Sequence, residues 1–454
     1  MYSEAMTNTP SRFFLRRKIA GQKTDNPAMY GTIDFAQRPE RLLDGRPDLS
    51  DLRNASAGTA ARVLANRELI GRMEAYTMLG DTVADPYAAL MPEYGFRPLV
   101  EMLVTACDKG IAAVENAPPE LARFIAAMED RPGWVNMDLV EQGARLQRNA
   151  MANFAPWAIR GGFIATFTNK YAALPMALTG TLSNTTAARR IKETATFFGT
   201  STLPGALRRF GPGFKAAAMV RLMHSMVRFN VLSRGKWDQK VYGVPIPQVD
   251  QMPAGLISDF FISSKALREG RGFTPGERAQ IELSRYRCFL LGLPQDLLAD
   301  TPQGIVDAWN ARMVTLRSGF DDATCGALLR ATMEAELGDT STPQGALRER
   351  FEKSFSKVYF LQNFCGGNER RARDMGVRVS PGDRARAAAV GVHVIGRMNA
   401  YKVAGQVPLL REIADMRLTG RLRRYLGSLG HAEFTSDAAK YKPAGADKGK
   451  APAT

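Results

Sequence analysis

From about residue 60 to residue 403, apolar side chains recur at spacings of three and four, the period of an α-helix with one buried face. Ala60-Ala61-Arg62-Val63-Leu64-Ala65 and Leu99-Val100-Glu101-Met102-Leu103-Val104 show it, and Pro118-Pro119 supplies a residue suited to a first helical turn. The same period predicts helices over 137–182, 185–198, 213–232, 251–268, 275–291, 302–316, 321–336, 341–363 and 381–403. Ser183, Asn184 or Thr185 can cap the second of these. Alternating β-branched runs between tight turns, the mark of strands, are nearly absent, and no repeat of roughly 20–50 residues stands out. The fold class this implies is all-α, with a single large helical domain over 61–435. Residues 1–60, polar and weakly patterned, read as a loop-rich lead-in with one short helix. Residues 436–454, rich in Ala, Lys, Pro and Gly, read as a disordered basic tail.

Composition narrows the class of protein. With 45% hydrophobic and 23% charged residues among 454, the chain has ample material for a core and is not a disordered, collagen-like or disulfide-scaffold sequence. Lys and Arg number 61 against 45 Asp and Glu, a net charge of +16 that favours acidic ligands, anionic membrane surfaces or nucleic acid. No nucleic-acid motif accompanies the charge, so nucleic acid is not an expected partner. Cys107, Cys288, Cys325 and Cys365 stand far apart, without C-x-x-C spacing, and read as reduced thiols. Near the N-terminus only Phe13-Phe14-Leu15 is apolar, short of the roughly 7–15 residues of a secretion signal. The most apolar stretch, 161–182, is interrupted by Asn169 and Lys170, short of the roughly 20 residues of a membrane span. The expected location is the cytoplasm, or the periphery of the inner membrane.

Several chemistries drop out. No phosphate-binding loop is present, since Gly211-Pro212-Gly213-Phe214-Lys215 has the wrong spacing, and Glu269-Gly270-Arg271-Gly272 follows no strand. His224, His393 and His431 are the only histidines, too few for most zinc or non-haem iron sites. On a helix, His224 shares its face with Ala217, Val220, Arg221, Val227, Arg228 and Val231. Such a surface suits a flat apolar macrocycle bearing two carboxylates: the imidazole ligates iron while Arg221 or Arg228 neutralises propionates. From periodicity alone the plainer reading is a satisfied interior histidine; His393 and His431 read as structural or exposed. Met219, Met223 and Met226 read as packing, with a methionine second ligand left open.

Glu193 has an unusual setting. From Gln142 to Lys192 the chain has no Asp or Glu, while Arg145, Arg148, Arg160, Lys170, Arg189, Arg190 and Lys192 are basic. Arg190, Glu193, Thr194 and Phe197 fall on one helical face. Glu193 is either an ion-paired structural residue or a placed acid or base, and surrounding positive charge is expected to favour its ionised form, which suits a base.

Arg190-x-x-Glu193-Thr194, with His224 thirty residues beyond Thr194 in Val220-Arg221-Leu222-Met223-His224-Ser225-Met226-Val227-Arg228, resembles the latex clearing protein (rubber oxygenase) family and its MpaB-type oxygenase relatives. Gly243-Val244-Pro245-Ile246-Pro247-Gln248-Val249-Asp250 is similar to the family's G-x-P-I-x-Q-x-D turn, and Arg285-Tyr286-Arg287-Cys288-Phe289-Leu290-Leu291-Gly292 to its aromatic-to-Leu-Leu-Gly helix. Pro132-Gly133-Trp134 and 171–181 match more weakly, so the resemblance covers about 130–310. It implies a globin-like helical core holding haem b, with His224 as the iron ligand and dioxygen as co-substrate. The implied activity is oxidative cleavage of C=C bonds in an isoprenoid or other unsaturated apolar molecule or lipid. Rubber oxygenases carry lysine in an R-x-x-K-T motif, where this chain has Glu193. No carboxylate precedes Arg190 to act as their distal glutamate, which leaves Glu193 as the nearby candidate. In that scheme Arg190 and Thr194 orient the oxygen and Glu193 takes an allylic proton. Two alternatives stand beside it: a haem-binding sensor or carrier without oxygenase activity, and a basic membrane-docking helical protein without cofactor.

Overall fold

The computed structural model describes residues 12–43, 57–179, 184–235 and 237–430. Every regular element among these residues is a helix, apart from one isolated bridge between Leu42 and Leu316, so the chain is all-α. The expected spans are found within a few residues as Pro212–Ser233, Gln248–Arg268, Pro275–Leu290, Pro302–Thr315, Pro343–Phe364 and Pro381–Ala404. Four helices open on one device. Thr274, Thr301, Thr342 and Ser380 each accept a backbone N–H of the first turn, and each is followed by a proline whose missing donor costs nothing there.

The span 137–182 divides into Met137–Asn153, Ala155–Ile164 and Lys170–Leu178. Pro156 lies in the first turn of the second piece, and Asn169 caps the third by accepting the Tyr171 N–H. The lead-in is more regular than expected. Helix Arg12–Asp25 buries Leu15, Ile19 and Gln22, a stripe spaced by four and three that polar neighbours hide in the sequence. Helix Pro408–Ser428 has no counterpart among the predicted helices. The cap position Ser183, His431 and the tail 436–454 lie outside the described residues, as do the side chains of Asn184 and Thr185.

Internal contacts divide the chain into two units, Met1–Gly143 with Ala217–Ser318, and Ala144–Ala216 with Gly319–Thr454. In the first, Gln248–Arg268 packs against Pro275–Leu290 and Pro302–Thr315, burying Met252, Ile281 and Leu283. In the second, Ala155–Ile164 lies against Pro343–Phe364, which also packs on Pro381–Ala404. Ile164, Ile191, Leu328 and Leu361 belong to one buried cluster there. A polar group adjoins it: Arg160 is fully buried, 2.6 Å from Glu349 and 3.0 Å from Glu352, and it also donates to the Thr332, Met333 and Ala335 carbonyls. All four cysteines are buried thiols outside any disulfide, and no described helix is long and apolar enough to cross a membrane.

Candidate functional site

Helix Pro212–Ser233 buries most of its circumference, with Ala217, Ala218, Leu222, Ser225 and Met226 all nearly inaccessible. Val220, His224 and Val227, spaced by four and three, form a half-buried stripe along it. The imidazole is therefore presented on an apolar strip, as the sequence suggests.

A chain of amides aims an acceptor at its Nδ1. Gln248 donates its Nε2 to the Gly80 carbonyl at 3.1 Å, and Gln251 donates its Nε2 to Gln248 Oε1 at 3.0 Å. Gln251 Oε1 then faces His224 Nδ1 at 3.3 Å. A backbone carbonyl can only accept, so Gly80 sets the orientation of both amides in turn and leaves the Gln251 oxygen toward the ring. An acceptor at Nδ1 requires the proton there, and in the neutral ring Nε2 then carries the lone pair. Ligating histidines commonly hold their second nitrogen in this way. The loop beneath the relay is fastened from the lead-in: Gln22 donates to the Met78 carbonyl at 3.0 Å and accepts the Gly80 N–H at 2.9 Å.

Arg221 and Arg228 take a role other than the expected propionate partners. Arg221 grips Asp81 at 2.5 and 2.9 Å, and Arg228 pairs with Asp85, both inside the protein. Arg228 also donates to the Pro245 and Ile246 carbonyls at 2.9 and 2.6 Å; Ile246 holds a left-handed φ of 47° as it presents its oxygen. Tyr30 completes the cluster, donating to Asp85 at 2.5 Å. Burial pushes Asp85 above the usual carboxylate range, whereas at Asp81 the same burial is outweighed by Arg221, which holds it below. With their forks engaged, these arginines brace the His224 helix from one side.

Two glycines are required by these pairs. A Cβ on Gly292, where φ is +90°, meets Asp81 Oδ2 at 2.5 Å and Arg221 Nε at 2.6 Å; one on Gly80 meets the Tyr30 hydroxyl at 1.9 Å. The Leu-Leu-Gly signature thus ends in a residue with no room for a side chain. The aspartate of the G-x-P-I-x-Q-x-D turn, Asp250, binds Arg41 at 2.6 Å and Arg312 at 3.4 Å, anchoring the start of the helix that carries the relay.

In the second unit, helix Asn184–Thr200 turns Ala187, Ile191 and Ala195 inward. Glu193 is 7% exposed and Arg190 donates to it at 3.1 Å, while Thr194 is half-buried. Surrounding charge does not decide the protonation of Glu193 as expected: burial raises its pKa, more than Arg190 and Arg189 lower it. A buried carboxyl with one partnering guanidinium and a raised pKa can exchange a proton nearer neutrality than a surface glutamate can. His393, in the same unit, is exposed, with its ring 6.4 Å from Trp157.

Gln22, Asp81, Asp85, Gln248 and Gln251 carry this arrangement and were not singled out as site residues. The turn motif contains Gln248, but its purpose rests on Gly80, 168 positions away.

Residues 149–397 match the family model described as ER-bound oxygenase mpaB/B′/Rubber oxygenase, catalytic domain. Comparison with curated proteins finds no match. Among solved structures the chain is similar to latex clearing protein in its closed state, with a TM-score of 0.54 and 18% identity, over 77% of this chain and 91% of that one. At that identity the likeness is one of fold.

Proposed function

We infer, from the fact that this chain belongs to the ER-bound oxygenase mpaB/B′/Rubber oxygenase catalytic-domain family, that it is a haem b-dependent oxygenase of an unsaturated apolar substrate. The observation that carries the reading is the Gly80–Gln248–Gln251–His224 relay, which places an acceptor at Nδ1 of the one histidine on the apolar stripe, so that in the neutral ring Nε2 bears the lone pair. Among the described residues no three His, Cys, Asp or Glu side chains gather to hold a bare metal ion. A lone imidazole suits a group that brings its own equatorial ligands, and haem is such a group. When bound, it would supply the redox chemistry with dioxygen.

The chain's own residues do the rest. His224 would hold the iron, and Val220 and Val227 offer an apolar surface beside it. Asp81 and Asp85, through Arg221 and Arg228, keep that helix face from shifting. Glu193 is the residue suited to receive a proton from an allylic carbon, and Arg190, already bound to it, orients its carboxylate. The proposed substrate class is an isoprenoid or other unsaturated lipid, and the family resemblance supports it.

The test is an absorption spectrum of the purified wild type beside His224→Ala, with pyridine haemochrome quantification. A Soret band with about one haem b per chain, lost in the variant, is expected. A wild type that is colourless and takes up no added haem overturns the reading. If haem is bound but no unsaturated lipid supports oxygen uptake, a sensor or carrier becomes the better account.

A further inference from the structure

Among the described residues, eight of the sixteen large apolar side chains that stand exposed fall within 392–416, a short stretch of a long chain. Seven of them belong to helices Pro381–Ala404 and Pro408–Ser428, and the eighth, Val407, to the connector Gly405, Gln406 and Val407 between them. Each helix has two apolar stripes. On the first, Ala387, Val390 and Val394 face inward, while Val392, Ile395 and Val403 lie on the opposite side, 76%, 61% and 60% exposed. On the second, Ala414, Leu418 and Leu422 are buried, and Leu409, Ile413 and Met416 face outward at 85%, 44% and 67%. The inner stripes account for folding; the outer ones do not.

Charge accompanies the outer stripes. Lys402, Arg411, Arg417, Arg423 and Arg424 are exposed on the same two helices. Of their acidic neighbours, Glu412 pairs with Arg411 at 3.3 Å and with Arg145 at 2.9 Å, and Asp415 pairs with Arg148. Lys402, Arg417, Arg423 and Arg424 have no carboxylate partner among the described residues. We propose that this helix pair docks on an anionic lipid bilayer, its outer apolar stripes entering the headgroup boundary and its cations meeting lipid phosphates.

Three observations favour this occupant. A second copy meeting the patch about a two-fold axis would set the same unpaired cations against each other. Residues 431–454 have only Phe434 and Tyr441 as large apolar side chains, and four lysines against three carboxylates, so they supply neither apolar cover nor acidic complement. No described helix can span a bilayer, so the contact is peripheral. A bilayer also dissolves unsaturated lipids, but the docking rests on this surface alone and is read without haem or turnover.

Full-length protein is sedimented with vesicles of phosphatidylcholine, and with vesicles of phosphatidylcholine and phosphatidylglycerol in equal parts. Binding to the anionic vesicles, weaker to the neutral ones and weakened by salt, is expected. Leu409→Ser/Ile413→Ser/Met416→Ser is expected to lose about tenfold or more in vesicle affinity with unchanged circular dichroism. Lys402→Glu/Arg417→Glu, which leaves the apolar stripes intact, is expected to lose the anionic preference and serves if the first variant misfolds. The proposal is overturned if the wild type ignores both vesicles or if either folded variant binds like it. It is also overturned if light scattering shows a dimer that the serine variant turns into a monomer, which would assign the surface to a second copy.

Discussion

A single amide oxygen faces Nδ1 of His224 and favours the proton there, and that oxygen belongs to a residue with no titratable group. Gln251→Leu keeps most of the side-chain volume but removes the acceptor, so the ring is free to change tautomer or rotate. The expected result is a loss of haem affinity of about 10–100-fold, the range seen when an outer partner of a ligating histidine is removed. Gln251→Glu, which retains an acceptor, is expected to recover much of it. Haem titration followed in the Soret band measures both, and nitrogen-15 shifts of the apoprotein report the tautomer directly. Equal affinity of wild type and Gln251→Leu would show that the relay does not position the ligand. The sequence singles out His224 as a candidate because imidazoles are scarce. It does not single out Gln251, because an amide acquires a purpose only from its neighbours. Arg221 and Arg228 hide their partners for a related reason: two cations beside a histidine look available in the sequence, and Asp81 and Asp85, 140 and 143 positions away, lie on them in the structure.

At the scale of elements, periodicity located most helices, Pro381–Ala404 with its two apolar stripes among them, and missed Pro408–Ser428. Pro408–Ser428 has an inward stripe through Leu418 and an outward one through Ile413, so its apolar residues blur into no single period. Helix boundaries were legible where Thr-Pro or Ser-Pro marks a start, and less so inside 137–182, where Phe154 merely precedes a proline-bearing turn. Helix Gln248–Arg268 holds a buried group that its pattern also hid. Asp259 faces Ser284, Arg287 and Arg285 from the adjacent helix, and burial pushes its carboxyl up to about 7. Below pH about 4 both folded and unfolded chains hold this proton; from there to about 7 only the folded chain does. Its contribution to stability therefore falls as pH rises through that window, by up to about 1.4 kcal/mol per unit, and levels off above it. Asp259→Asn removes the dependence. The variant is expected to melt higher than the wild type at about pH 8, with the gain shrinking at about pH 5. A gain that is the same at both, measured by thermal unfolding in matched salt, would mean that Asp259 does not retain its proton in the folded state.

For the whole molecule, a net charge of +16 conceals where the charges lie. Arg41, Arg148, Arg160 and Arg228 are among the largest fully buried side chains, each paired with a carboxylate, so the interior is close to neutral at these points and the excess is left to the surface. Counting residues cannot separate the two populations, and for that reason a basic composition alone could not choose between propionate, lipid and structure as the partner of any one arginine. Buried pairs impose a sharp condition: removing one member leaves the other charged, unpaired and out of water. Arg160 is the strictest case, since Glu349 and Glu352 both rely on it and three carbonyls accept from it. Arg160→Met fills similar space without the charge and is expected to cost about 3–5 kcal/mol, read as a lowered urea midpoint. Hydrogen exchange should place the loss first in helices Ala155–Ile164 and Pro343–Phe364, which this side chain joins. If the variant instead unfolds within about 1 kcal/mol of the wild type, the two glutamates accept protons readily enough to stay buried alone, and the polar group is not what holds those helices together.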